Sequence, residues 1–126
     1  MAGNFSKMDT SSLVASLLAV NTVIISGIVV HIGHLYRAGT YTHYGWVVGI
    51  VIITLICIAA IHAFAGYTVI ASKKLYKRVL ASTTTAQVVS VIAVIAIVMD
   101  PIMLMGLAAS VTTTTIIALL LRTPSR

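Results

Sequence analysis

Residues 79–121 read VLASTTTAQVVSVIAVIAIVMDPIMLMGLAASVTTTTIIALLL. One acidic residue and one proline, Asp100-Pro101, divide two uncharged runs of 21 residues, 79–99 and 101–121. A helix rises 1.5 Å per residue, so a bilayer core takes about 20 apolar residues. Each run is therefore long enough to cross by itself. Asp100-Pro101 then joins them as a tight hairpin. Proline is tolerated in the first helical turn, where its missing N–H would have no partner anyway. Asp100, just before it, is placed to cap that helix.

The same reading works outward to the rest of the chain. Residues 10–36 and 38–72 are also free of Asp, Glu, Lys and Arg. Only 8% of the 126 residues are charged and 60% are hydrophobic, whereas a soluble domain carries about 25% charged residues. So few charges cannot cover a water-facing surface. Apolar residues run all round each segment, and runs this long without turn residues are helices, which satisfy their own backbone groups in lipid. The expected fold class is an all-α membrane protein, a single domain over 1–126. It has four transmembrane helices at about 12–36, 45–72, 79–99 and 101–121, the estimate carrying an error of roughly 2–4 residues at each end.

Lys and Arg set the expected orientation. With the N-terminus inside, Lys7, Lys73, Lys74, Lys77, Arg78, Arg122 and Arg126 fall on the inner face, and only Arg37 falls outside. This asymmetry places both termini in the cytoplasm. It accounts for the net charge of +6 without invoking nucleic acid, for which no Lys/Arg run is long enough. The outer loop near 37–44 gathers Tyr36, Tyr41, Tyr44 and Trp46, rings that favour the headgroup level. No signal-peptide cleavage site or lipidation box is evident. The lone Cys57 reads as a buried packing thiol. The threonine runs at 83–85 and 112–115 read as hydroxyls bonded to the preceding turn.

Chemistry is confined to histidine. The spans hold no acidic residue, which excludes a carboxylate relay, and no Ser/His/Asp set, CxxC or phosphate loop is present. His43 lies in the outer loop and reads as solvated. His31 and His34 share a face near the outer end of the first helix. His62 lies deep in the second, with Ala59, Ala63 and Gly66 making one side nearly free of side chains. Such a surface gives a flat ring clearance, and imidazole can ligate iron. It equally suits close helix packing, with His62 hydrogen-bonded to a neighbouring helix. The residues alone leave both open.

The stretch His62-Ala63-Phe64-Ala65-Gly66, late in an outside-to-inside helix and followed by a basic loop, resembles the second helix of one family of subunits. These are the small membrane-anchor (cytochrome b) subunits of succinate dehydrogenase and fumarate reductase. The likeness extends over about residues 27–78. It implies that His62 ligates haem b and that Gly66 clears the ring. It further implies that His31 or His34 ligates a second haem near the outer face. The implied role is a non-catalytic subunit in the plasma membrane that passes electrons towards quinone. Another membrane subunit would supply the opposite axial ligand. Peripheral catalytic subunits would dock over Lys73, Lys74, Lys77 and Arg78. Two features differ from the family: anchors of this kind usually have three helices, and Lys73 and Lys74 stand where several members carry an Asp-Tyr pair. The alternatives are a cofactor-free accessory subunit of another membrane complex, such as an oxidase or oxygenase, or a self-assembling membrane or filament subunit.

Topology is directly measurable. A cysteine placed at position 75 should react with an impermeant reagent only from the cytoplasmic side. Labelling from the outside alone would reverse the orientation.

Overall fold

A computed structural model describes residues 10–72 and 76–122. Four helices account for nearly all of them: α1 Thr10–Arg37, α2 Gly45–Ser72, α3 Lys77–Ile97 and α4 Pro101–Arg122. Each is long and apolar enough to cross a membrane, and there is no strand among the described residues. The chain is a multi-pass membrane protein. The expected spans agree with the helices to within two residues. The largest shift is in α3, which starts and ends two residues earlier. Its end lies just before the hairpin: Val98, three residues ahead of Pro101, is already extended (φ −139°, ψ 119°).

The turns explain why the helices stop where they do. After α1, Thr40 N–H donates to Leu35 C=O and Gly39 N–H to Tyr36 C=O, both at 3.1 Å. This pair is the Schellman arrangement, and it needs a left-handed residue, supplied by Gly39 at φ 82°. Before α4, one carboxylate oxygen of Asp100 accepts the N–H groups of Ile102 (3.0 Å) and Met103 (3.1 Å). Asp100 is thus the cap expected at that hairpin.

The helices form a square. α1 packs against α2 and α4, and α3 packs against the same two, while no Cα atoms of the diagonal pairs come within 8 Å among the described residues. Each helix turns one seam inward. The buried positions on α1 include 14, 18, 21, 25, 28 and 32. On α2 they include 48, 51, 55, 58, 62, 65 and 69, and on α3 they are 80, 84, 87, 91 and 94. Steps alternating between three and four are the heptad spacing of coiled-coil packing. Cys57 lies off that seam and is exposed, contrary to the buried thiol expected.

The core has two apolar parts. Ile25, Ile32, Val48, Leu55, Val91 and Met103 belong to the larger one, towards the 38–44 loop. Val14, Leu18, Ala65, Leu80 and Ile117 form the smaller one, towards the other end. Tyr41 also departs from expectation. Tyr36, Tyr44 and Trp46 are exposed as an interfacial belt requires, but Tyr41 folds inward to 2% exposure and closes the larger cluster. The threonine hydroxyls largely bond back one turn, as Thr84 does to Leu80 C=O at 2.7 Å and Thr112 to Ala108 C=O at 2.8 Å.

Two glycines with different surroundings test the packing. A Cβ on Gly106 would lie 3.0 Å from Cγ1 of Ile28, whereas one on Gly27 would meet nothing within 4 Å. Gly106→Leu should therefore cost about 1–3 kcal/mol through overpacking, and Gly27→Ala should be tolerated. Unfolding in detergent, followed by circular dichroism, measures both.

Candidate functional site: a buried polar layer

Between the two apolar clusters lies a layer of polar side chains, one or more from each helix. Asn21 comes from α1, His62 from α2, Gln87 from α3 and Ser110 from α4, and all four are completely buried. Asn21, His62 and Gln87 stand on the inward seams of their helices, which is why side chains this polar meet at the axis. In a bilayer core such groups are costly unless they pair with each other.

The pairing is extensive. Asn21 Nδ2 donates to Gln87 Oε1 at 2.7 Å, and Gln87 Nε2 donates back to Asn21 Oδ1 at 3.0 Å. This reciprocal amide pair crosses the diagonal of the square, between helices whose backbones do not touch. Gln87 Nε2 also donates to Ser110 Oγ at 2.8 Å. Asn21 Nδ2 lies 2.8 Å from His62 Nδ1, and His62 Nε2 lies 2.7 Å from Thr83 Oγ1. Thr83 Oγ1 is also 2.9 Å from Val79 C=O, to which it can donate.

Counting donors settles the tautomer. The two amides carry four side-chain N–H groups, and each has an acceptor: Gln87 Oε1, Asn21 Oδ1, Ser110 Oγ and His62 Nδ1. His62 Nδ1 must therefore be the bare nitrogen, and its proton sits on Nε2, donated to Thr83. Turning both amides over would let Nδ1 carry the proton instead. Two of the four amide N–H groups would then face no acceptor in the network. A buried unsatisfied donor costs about 1–3 kcal/mol, so the orientation that pairs all four amide N–H groups is favoured.

The tautomer bears on iron. A histidine that ligates through Nε2 holds its proton on Nδ1, and here that proton would point into the Asn21 amide N–H. As packed, His62 offers iron no free nitrogen. The small residues beside it divide in role. Ala59 packs against the larger core cluster. Gly66 is buried against α1, where a Cβ would stand 3.8 Å from both Ala15 C=O and the Leu18 Cβ. An open groove of ≈ 420 Å³ does run beside His62 between α1 and α2, with Ala63 and Gly66 among its walls.

The other expected site residues fall elsewhere. His31 Nε2 donates to Asp100 Oδ2 at 2.8 Å, tying α1 to the α3–α4 hairpin at the far end of the bundle from the basic residues of α3. His31 and His62 thus belong to different clusters. His34 and His43 are exposed, and neither joins the polar layer. Lys77 and Arg78 are exposed at the start of α3, while Lys73 and Lys74 lie outside the described residues. No group of three or more His, Cys, Asp or Glu that could hold a metal occurs among the described residues. Sequence reasoning missed Asn21 and Gln87. Their signal was available: they are the only Asn and Gln inside the four uncharged runs.

At the far end, Asp100 and Tyr41 influence each other. The His31 N–H, ahead of the Met103 and Ile102 backbone N–H groups, holds the Asp100 carboxyl below its ordinary range. Burial, and after it the Asp100 charge, pushes the Tyr41 phenol up. The Tyr41 hydroxyl is buried without a hydrogen-bond partner.

No protein family model matches the chain, and neither a curated protein nor a solved structure shows significant similarity to it. The class is thus defined by architecture alone: a four-helix membrane bundle organised by a buried Asn–Gln–His–Ser layer.

The Asp100 arrangement has a pH signature. A carboxyl whose folded pKa is depressed stabilises the fold above its unfolded pKa, and that contribution is lost as pH falls through the folded value. Unfolding midpoints should therefore drop as pH falls below about 4, the ordinary carboxyl range. Asp100→Asn should lower the midpoint at neutral pH and flatten the acid slope. Asp9, the only other acidic side chain, stays as the internal control.

Proposed function

We propose that the chain is a scaffold subunit of a larger membrane complex, with His62 serving to join helices. One observation carries this reading: both ring nitrogens of His62 are hydrogen-bonded within the chain, in a network that touches all four helices. A bundle whose central polar layer satisfies its own hydrogen bonds keeps its shape without a prosthetic group. Its outward faces, apolar on every helix, are then available to lipid and to neighbouring helices. Large residues such as Ile53, Phe64 and Tyr67 on α2 point outward, as do Met99 beyond α3 and Met105 on α4. The exposed Lys77 and Arg78 offer a docking point for a peripheral partner.

The second reading is the haem-binding anchor of a succinate dehydrogenase-type complex. The groove beside His62, Ala63 and Gly66 is what favours it, because open space exists next to the residues which that resemblance singles out. Ligation would require Thr83 to release Nε2 and Asn21 to turn, so the polar layer would have to rearrange on binding.

His62→Leu separates the two. Interhelical hydrogen bonds in membranes contribute about 0.6 kcal/mol on average and up to about 1.7. The scaffold reading expects a stability loss of about 1 kcal/mol, and no change in the visible spectrum of the purified complex. A larger loss is expected for Gln87→Leu, which unpairs Asn21 and Ser110 together. The anchor reading expects His62→Leu to abolish a reduced haem b band, and that outcome would replace the scaffold assignment.

A further inference from the structure

A second groove lies between α1 and α4, where His31 meets the Asp100 hairpin. Its volume is ≈ 320 Å³, at the small end of the range for ligand pockets, about 300–1,000 Å³. On α1 its walls run from Val23 to His31, roughly 12 Å along the helix. Ile28 and Met103 are buried and lie deepest in it, while Val23, Ile102 and Met105 are exposed at its rim. Gly27 keeps the space clear, since a Cβ there would meet nothing within 4 Å.

Among the described walls, His31 is the only residue whose side chain carries a hydrogen-bonding nitrogen or oxygen. Asp100 fixes what that side chain offers. Oδ2 of Asp100 already accepts the N–H groups of Ile102 and Met103, so it faces His31 as an acceptor too. The 2.8 Å contact is therefore a donation from Nε2 of His31. In the neutral ring Nδ1 then holds a bare lone pair, which accepts and cannot donate. Nδ1 has no hydrogen-bond partner among the described residues, and the His31 side chain is 18% exposed. Apolar walls with one accepting nitrogen suit a guest that is apolar along its length and carries one O–H. Neither the polar layer at His62 nor the scaffold role uses this space.

We infer that the α1–α4 groove binds a small apolar molecule bearing a hydroxyl group, whose O–H donates to Nδ1 of His31. The walls select the apolar body, the volume limits its size, and the tautomer selects a donor over an acceptor. Asp100 is a positioning residue: it holds the proton on Nε2 and aims the ring. The site is independent of whatever role His62 has.

The test uses the full chain in detergent, carrying isotopically labelled histidine, in mildly alkaline buffer. It is titrated with para-butylphenol and, separately, with para-butylanisole, the methyl ether of the same skeleton, which has no O–H. The Nδ1 resonance of His31, identified by its loss in His31→Gln, should shift saturably with the phenol and stay in place with the ether. Gly27→Leu fills the open space beside His31 and should abolish the shift, while the Nε2–H signal still reports the bond to Asp100. An equal Nδ1 response to both compounds, or none to the phenol, would overturn the proposal on the wild-type chain alone. A saturable wild-type response in Gly27→Leu would overturn it as well, because binding would then lie outside the groove.

Discussion

Two amides face each other across the middle of the bundle. The Asn21–Gln87 pair joins the two helices that stand diagonally apart. In water, apolar seams alone would hold four helices together. In lipid that force is largely missing, because acyl chains are as apolar as leucine, and association rests on packing and interhelical hydrogen bonds. A reciprocal pair on the diagonal does what contacts between adjacent helices cannot: it sets the depth of α1 against α3. His62 and Ser110 extend the same layer to α2 and α4, so all four helices take their register from one level.

The layer acts through specificity more than through strength. Heptad seams filled only with Ile, Val and Leu would pack nearly as well after a slip of one turn along the axis. A slip here would leave four amide N–H groups and an imidazole unpaired in hydrocarbon, and each such group carries a substantial desolvation cost. A polar residue at a seam position fixes register in this way in coiled coils. The apolar clusters on either side then pack against a reference already chosen. The hairpin at Asp100 adds a second tie at one end through His31. Small residues do the corresponding work near the other end, where Gly66 brings α2 close to the backbone of α1.

The same constraint explains why the surroundings of His62 do not by themselves fix its role. An imidazole beside alanines and a glycine suits a flat ring equally well whether the space is filled by a cofactor or by a neighbouring helix. The distinction lies in where its two nitrogens point. Those directions depend on Asn21 from 41 residues earlier and on Thr83 from 21 residues later. Local sequence around His62 contains neither partner.

What the sequence determined by itself was set by length and solvation. Four uncharged runs longer than a bilayer, divided by charged residues such as Arg37 and by Asp100-Pro101, define the helices because a backbone in lipid must satisfy itself locally. What only the tertiary structure decided was which side of each helix faces inward. In a soluble helix the polar face marks the outside, but here the lipid-facing side is as apolar as the core. The heptad seams at 48, 51, 55, 58 and 62 or at 80, 84 and 87 are therefore hidden among equally apolar neighbours. For that reason Cys57 reads as buried and Tyr41 as interfacial until the packing shows otherwise. Asn21 and Gln87 were legible as isolated amides within the spans, but their pairing was not, because it arises only when helices 66 residues apart in sequence are brought to the same depth.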